Sequence, residues 1–127
     1  MGNDSPSRVL VTGGAGFIGR RVVTALLAEG AEVTVADLKP FTGDPSVRAV
    51  TGDLVEPEVA GQAVAPGTDT IIHLAARTSV LESLQDPEAT YRNNVALTAG
   101  LLELARQRGV RTFLFASTNA VVGNVGQ

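Results

Sequence analysis

The sequence predicts an α/β protein built on a doubly wound parallel sheet. Three observations carry this. Short apolar, β-branched runs alternate with helical patterns along the whole chain. The runs have no polar face, as expected of strands covered by helices on both sides. A glycine-rich turn, Gly13-Gly14-Ala15-Gly16, joins the first run to the first helical pattern, which places the two in one β-α unit.

The elements follow in order. Residues 8–12 (RVLVT) form the first strand. The helix after it has Ile18, Val22 and Leu26 on one stripe, Val23 and Leu27 beside it, and Gly30 past its end. Residues 32–36 (EVTVA) form the second strand, closed by Asp37, and 38–46 hold the turn residues Pro40, Gly43, Asp44 and Pro45. A third strand covers 47–51, a short helix 57–64, and a fourth strand 70–74 (TIIHL). A long helix then opens with Asp86 as N-cap, Pro87 at its first position and Glu88 in its first turn. Its buried stripe is Leu97, Leu101 and Leu104, widened by Leu102 and Ala105. Arg106 and Arg108 complement the dipole of its last turn before Gly109. Residues 112–116 (TFLFA) are the last strand. Residues 1–7 are expected to be a flexible leader and 8–127 one domain.

Composition narrows the function. Hydrophobic residues are 44% and charged residues 18% of the chain, a globular balance that excludes a disordered one. The net charge is −3 with basic residues scattered, so no nucleic-acid partner is expected. With no Cys and one His, thiolate chemistry and multi-His metal sites are excluded, and no metal is expected. No apolar run is long enough for a membrane span, and MGNDSPSR lacks a secretory apolar segment, so a cytoplasmic location is expected.

The strongest motif is Thr12-Gly13-Gly14-Ala15-Gly16-Phe17-Ile18-Gly19. Its glycines at 13, 16 and 19 have the spacing of a dinucleotide loop. Gly13 allows a sharp turn, Gly16 leaves room for a pyrophosphate, and Gly19 allows close packing of helix on sheet. The free N–H groups of the first helical turn, at Phe17 and Ile18, would face the phosphates. Asp37 follows Gly13 by 24 residues, close to where an acid accepts hydrogen bonds from the adenosine ribose. A carboxylate there repels a 2′-phosphate. NAD is therefore the expected cofactor and NADP the less favoured one, although Arg20, Arg21 and Lys39 are nearby cations. No Lys-Ser/Thr pair follows the glycines, so this is not a mononucleotide-triphosphate loop.

From residue 8 to about Gly123 the chain resembles the extended short-chain dehydrogenase/reductase family, the NAD-dependent epimerase/dehydratase group. Five segments carry the likeness: TGGAGFIG; Asp37; Gly52-Asp53-Leu54; His73-Leu74-Ala75-Ala76; and Asn93-Asn94-Val95 leading to the run from Phe115 to Gly123. The resemblance implies a Rossmann fold. It implies that Asp53 and the N–H of Leu54 meet the adenine, and that Leu74, Ala75 and Ala76 pass the middle of the cofactor. It further implies that Asn93 and Ala116 lie beside the cofactor. His73 reads as a packed strand residue rather than a base. Thr118, with Ser117 before it, matches the family's catalytic hydroxyl, which hydrogen-bonds the substrate oxygen that exchanges hydride. Val122 departs from the family's usual Tyr. The substrate class implied is a small molecule, typically a nucleotide-sugar.

The family's proton-transfer pair, Tyr-x-x-x-Lys, has no counterpart. Tyr91 is the only Tyr, position 95 is Val, and the only Lys is Lys39. The expectation is that these residues are the cofactor half of a longer enzyme, lacking its C-terminal strands and substrate region and inactive alone. A homodimer of the full-length form, or a complementing C-terminal chain, is the expected assembly. A rival stays open at this point: a non-catalytic NAD(P)-binding module. The last strand is expected at the open edge of the sheet with apolar residues uncovered.

Overall fold

The computed structural model describes residues 6–76, 78–118 and 123. Its elements are β1 (Arg8–Thr12), α1 (Phe17–Ala28), β2 (Glu32–Asp37), β3 (Arg48–Thr51), α2 (Pro57–Ala63), β4 (Thr70–His73), α3 (Val80–Gln85), α4 (Pro87–Tyr91), a π-helical turn (Arg92–Ala96), α5 (Leu97–Gln107) and β5 (Thr112–Phe115). The five strands form one sheet in the order β3-β2-β1-β4-β5. Every pairing is parallel, with Val11 of β1 opposite Val35 on one side and Ile72 on the other. The expected doubly wound sheet is therefore present.

The period of two along β1 divides the core. Leu10 joins Ile71, Ala36, Val64, Leu97 and Leu101 on the face covered by α2 and α5. Val9 and Val11 join Val23, Val33, Val35 and Val47 on the face covered by α1. Both faces of β1 are closed to water, which explains why the strand shows no polar alternation.

Several expectations need correction. In α1 the buried residues are Gly19 and Val23, whereas Ile18 is 63% exposed. The inward side of the first turn is filled by the loop backbone, which Gly19 meets, and this turns Ile18 outward. In α5 Leu97, Leu101 and Ala105 are buried but Leu102 is exposed, so the stripe is narrower than its leucines suggest. The long helix is not uniform. Asp86 does cap it, its Oδ1 accepting from the Ala89 N–H at 3.0 Å, but a π-helical turn separates α4 from α5. Helix α3 was not anticipated; its signal is Ser79 followed by Glu82, whose N–H donates to the Ser79 hydroxyl at 3.2 Å. Arg108 serves a different helix from the one expected. Its guanidinium donates to the carbonyls of Gly61 and Val64, at the C-terminal end of α2.

Strand pairing extends to Ser7, whose carbonyl accepts from the Glu32 N–H at 2.8 Å; residues 1–5 lie outside the described part. At the other end, β5 is an edge strand with Leu114 and Phe115 exposed, as expected.

Candidate functional site

The chain winds from β1 outward to β2 and β3, then crosses back to β4 and β5 on the other side. The reversal leaves a crevice at the carboxyl ends of β1 and β4, where open α/β sheets hold ligands. A cleft of about 260 Å3 lies there. Its walls come from the turn after β1 (Gly13, Gly16), the end of β2 (Ala36, Asp37, Leu38) and the segment after β3 (Gly52, Asp53, Leu54). Leu74, Ala75 and Ala76 after β4, with Asn93 and Leu97 from the helices, complete it.

The turn is shaped by steric need. Gly13 has φ +72°, a left-handed conformation, and a Cβ on it would sit 2.9 Å from the Ala75 nitrogen. A Cβ on Gly19 would fall 2.2 Å from the Gly13 carbonyl oxygen, so Gly19 packs against the turn itself rather than against the sheet as expected. Gly14, outside the expected spacing, lies against Val35, whose methyls would be 2.7 Å from a Cβ there. Gly16 differs from all three: a Cβ would meet only the Gly13 oxygen, at 3.3 Å. Its open side faces the cleft. As N-cap of α1 it has no side chain to satisfy the first-turn N–H groups, and the first turn carries no acidic residue. This is the arrangement an anionic ligand requires.

Two carboxylates border the cleft, and each is engaged locally. Asp37 accepts from the Ala15 N–H through Oδ2 and from the Lys39 N–H through Oδ1, both at 3.0 Å. It therefore braces the glycine turn as well as facing the cleft, a link the sequence did not suggest. A carboxylate has about four acceptor positions, so two bonds leave capacity for ribose hydroxyls. Asp53 accepts from the Val55 N–H at 3.0 Å, closing the turn before α2. Asn93 donates its amide to the Ala89 carbonyl at 2.8 Å, and it stands in the π-helical turn. Small residues at 13, 16, 75 and 76, two acceptor carboxylates and an uncapped helix start suit a dinucleotide.

Nine of the expected cofactor residues line this one cleft: Gly13, Gly16, Asp37, Asp53, Leu54, Leu74, Ala75, Ala76 and Asn93. Gly19 is beneath the turn, and the side chains of Phe17 and Ile18 point to solvent, with the Arg21 guanidinium 5.4 Å from the Phe17 ring centre. Ala116, Ser117 and Thr118 follow β5 and are exposed, outside the lining of this cleft. Residues 119–122 of the expected catalytic segment, Val122 among them, lie outside the described part. Sequence reasoning missed Ala36, Leu38, Gly52 and Leu97 as lining residues. Gly52 stands in the Gly52-Asp53-Leu54 segment without a role of its own, and the apolar side chains of Ala36, Leu38 and Leu97 carry no motif.

Among the described residues, no cluster of three or more His, Asp or Glu is arranged for a metal, and no helix is long and apolar enough to cross a membrane.

Comparison with known proteins agrees with this geometry. The chain is 38% identical over 121 residues to a 3-beta-hydroxysteroid dehydrogenase of Mycolicibacterium neoaurum, covering 91% of this chain and 33% of that protein. It is 37% identical over 128 residues to a dTDP-glucose 4,6-dehydratase of Mycobacterium tuberculosis, covering 93% and 38%. Among solved structures, the Thermus thermophilus UDP-glucose 4-epimerase in complex with NAD superposes with a TM-score of 0.80 at 40% identity, covering 87% of this chain and 37% of that one. The chain thus spans about a third of the length of the curated relatives it matches. The model of the NAD dependent epimerase/dehydratase family matches residues 9–127, and with the glycine turn, the switch-point cleft and these relatives in agreement, the chain belongs to that family.

Proposed function

We propose that this chain is the NAD-binding part of an epimerase/dehydratase-type oxidoreductase acting on a hydroxyl of a nucleotide-sugar-like substrate. The observation that carries the proposal is the cleft at the β1–β4 switch point, where the uncapped start of α1 and the Asp37 carboxylate face the same space. The N–H groups of Phe17 and Ile18 would bind the pyrophosphate, and Gly16 would let it approach the backbone. Asp37 would accept from the adenosine ribose and disfavour a 2′-phosphate. Asp53 and the Leu54 N–H would hold the adenine, and Leu74, Ala75, Ala76 and Asn93 would flank the middle of the cofactor. Bound NAD would supply the hydride acceptor. Ser117 and Thr118, following the carboxyl end of β5, would hydrogen-bond the substrate oxygen.

The proton-transfer pair of the family has no counterpart in these 127 residues, since the only Lys, Lys39, stands beside Asp37. We therefore propose that this chain alone binds NAD without turning substrate over. The nucleotide-sugar assignment draws on relatives such as the dTDP-glucose dehydratase and the UDP-glucose epimerase. A cytoplasmic location and a homodimeric full-length form belong to the same proposal. Exposed Val80, Leu81, Leu84, Tyr91 and Val95, running from α3 to the π-helical turn, support association. Calorimetric titration of the chain with NAD and with NADP tests the proposal: NAD should bind, and more tightly than NADP. Absence of binding by both cofactors would refute it.

A further inference from the structure

His73 ends β4 with only 2% of its surface exposed, and its hydrogen bonds can be assigned proton by proton. The N–H groups of Leu74 and Ala75 both donate to the Thr12 hydroxyl oxygen, at 3.0 and 3.1 Å. Leu74 shares its proton with the Thr12 carbonyl, also at 3.1 Å. With its acceptor positions taken, the Thr12 hydroxyl must donate, and the neighbour at 2.6 Å is His73 Nδ1. Nδ1 therefore accepts, and the ring proton resides on Nε2. Nε2 lies 3.0 Å from the Thr98 hydroxyl oxygen and donates to it. Thr98 in turn donates to the Asn94 carbonyl at 2.8 Å, inside the π-helical turn. Each proton is used once, and the chain runs without a break from the end of β1 to the turn that carries Asn93.

We propose that His73 is a positioning residue: as the neutral Nε2–H tautomer it ties the end of β1, the Leu74–Ala75 segment and the π-helical turn into one frame around the cleft. The inference rests on the nucleotide-binding proposal for its consequence, but not for the frame itself. Thr12 immediately precedes Gly13, Leu74 and Ala75 line the cleft, and Asn93 adjoins the Asn94 carbonyl. Three walls of the site are thereby held in register. A second proton on His73 would set an N–H at Nδ1 against a hydroxyl whose acceptor positions are filled, so charging the ring breaks the frame. The groups packed on the ring are Thr12, Thr98 and the rings of Phe113 and Phe115, each 6.0 Å away, and none of these is charged. Burial pushes the imidazole pKa below its usual range.

His73 is the only His in the chain, so its ring nitrogens are observed without ambiguity in a 15N-labelled sample. The long-range 1H–15N spectrum at neutral pH should show Nε2 protonated and Nδ1 bare. Thr98→Val should shift the Asn93 and Ala75 amides and weaken NAD binding by about tenfold, the equivalent of one hydrogen bond. Thr98→Ser, which keeps the hydroxyl, should restore both. The proposal is overturned by an Nδ1–H tautomer, or by a folded Thr98→Val protein whose amide shifts match those of the unaltered chain. If the unaltered chain fails to bind NAD, the functional proposal falls, while the tautomer and the amide shifts still decide whether the frame exists.

Discussion

Replacing Gly16 by Val separates folding from binding. Gly16 has φ −79° and ψ 179°, extended backbone that any residue adopts. The added Cβ would meet one atom, the Gly13 oxygen at 3.3 Å. The expected stability cost is that of an ordinary surface change, about 1 kcal/mol or less. Binding should respond differently, because the side chain would occupy the space through which a pyrophosphate reaches the Phe17 and Ile18 N–H groups. A hydrogen bond to a charged group contributes about 1.5–3 kcal/mol, so loss of two corresponds to at least about a hundredfold in affinity. Gly19→Ala is the control with the opposite pattern. Its Cβ would sit 2.2 Å from the Gly13 oxygen and 2.6 Å from the Gly14 Cα, which the fold cannot absorb without moving α1. Thermal unfolding and NAD calorimetry on both variants make the comparison. A Gly16→Val protein that melts normally and binds NAD with unchanged affinity would refute the placement of the pyrophosphate.

Other outcomes follow from the same geometry. Asp37→Ala should narrow the preference for NAD over NADP and should also loosen the glycine turn, because the Ala15 N–H loses its acceptor; an unmoved NAD/NADP affinity ratio would exclude Asp37 from the ribose. Arg108→Met should destabilise the fold by about 1–3 kcal/mol by leaving the Gly61 and Val64 carbonyls without their donor, as urea unfolding would measure. Stability should fall as pH drops below about 6.5. The unfolded chain then takes up a proton on His73 that the folded chain, with its lowered pKa, refuses. The slope should approach 1.4 kcal/mol per pH unit between the unfolded and folded values. Equal stability at pH 7 and pH 5 would contradict the burial of a neutral His73.

The fold was legible because its signals are local. Strand β1 is apolar on both faces, the turn after it needs glycine, and Asp86-Pro87 starts a helix whatever follows. The site was legible where a polar or small residue is required at a fixed place, as at Gly13, Asp37 and Asn93. What escaped depends on contacts distant in sequence. Ile18 and Leu102 fit a helical stripe by spacing, yet which side of a helix is covered depends on how it sits against the turn or the sheet. Arg108 lies near the end of its own helix in sequence, but its partners are carbonyls 44 and 47 positions earlier. The π-helical turn has no residue signature, and it shows only in the backbone of Arg92–Ala96. His73 reads as a packed strand residue, which is correct for its burial. Its role as a link needed Thr12, 61 positions away, and Thr98, 25 positions away.

The most direct measurement is an amide spectrum of the 15N-labelled chain titrated with NAD. Shifts should be concentrated on residues 13–19, Asp37, residues 53–54, residues 74–76 and Asn93, with the far ends of the strands, at Arg8 and Thr70, unchanged. Shifts spread over the opposite end of the sheet, or none at saturating NAD, would contradict the assignment of the β1–β4 cleft as the dinucleotide site.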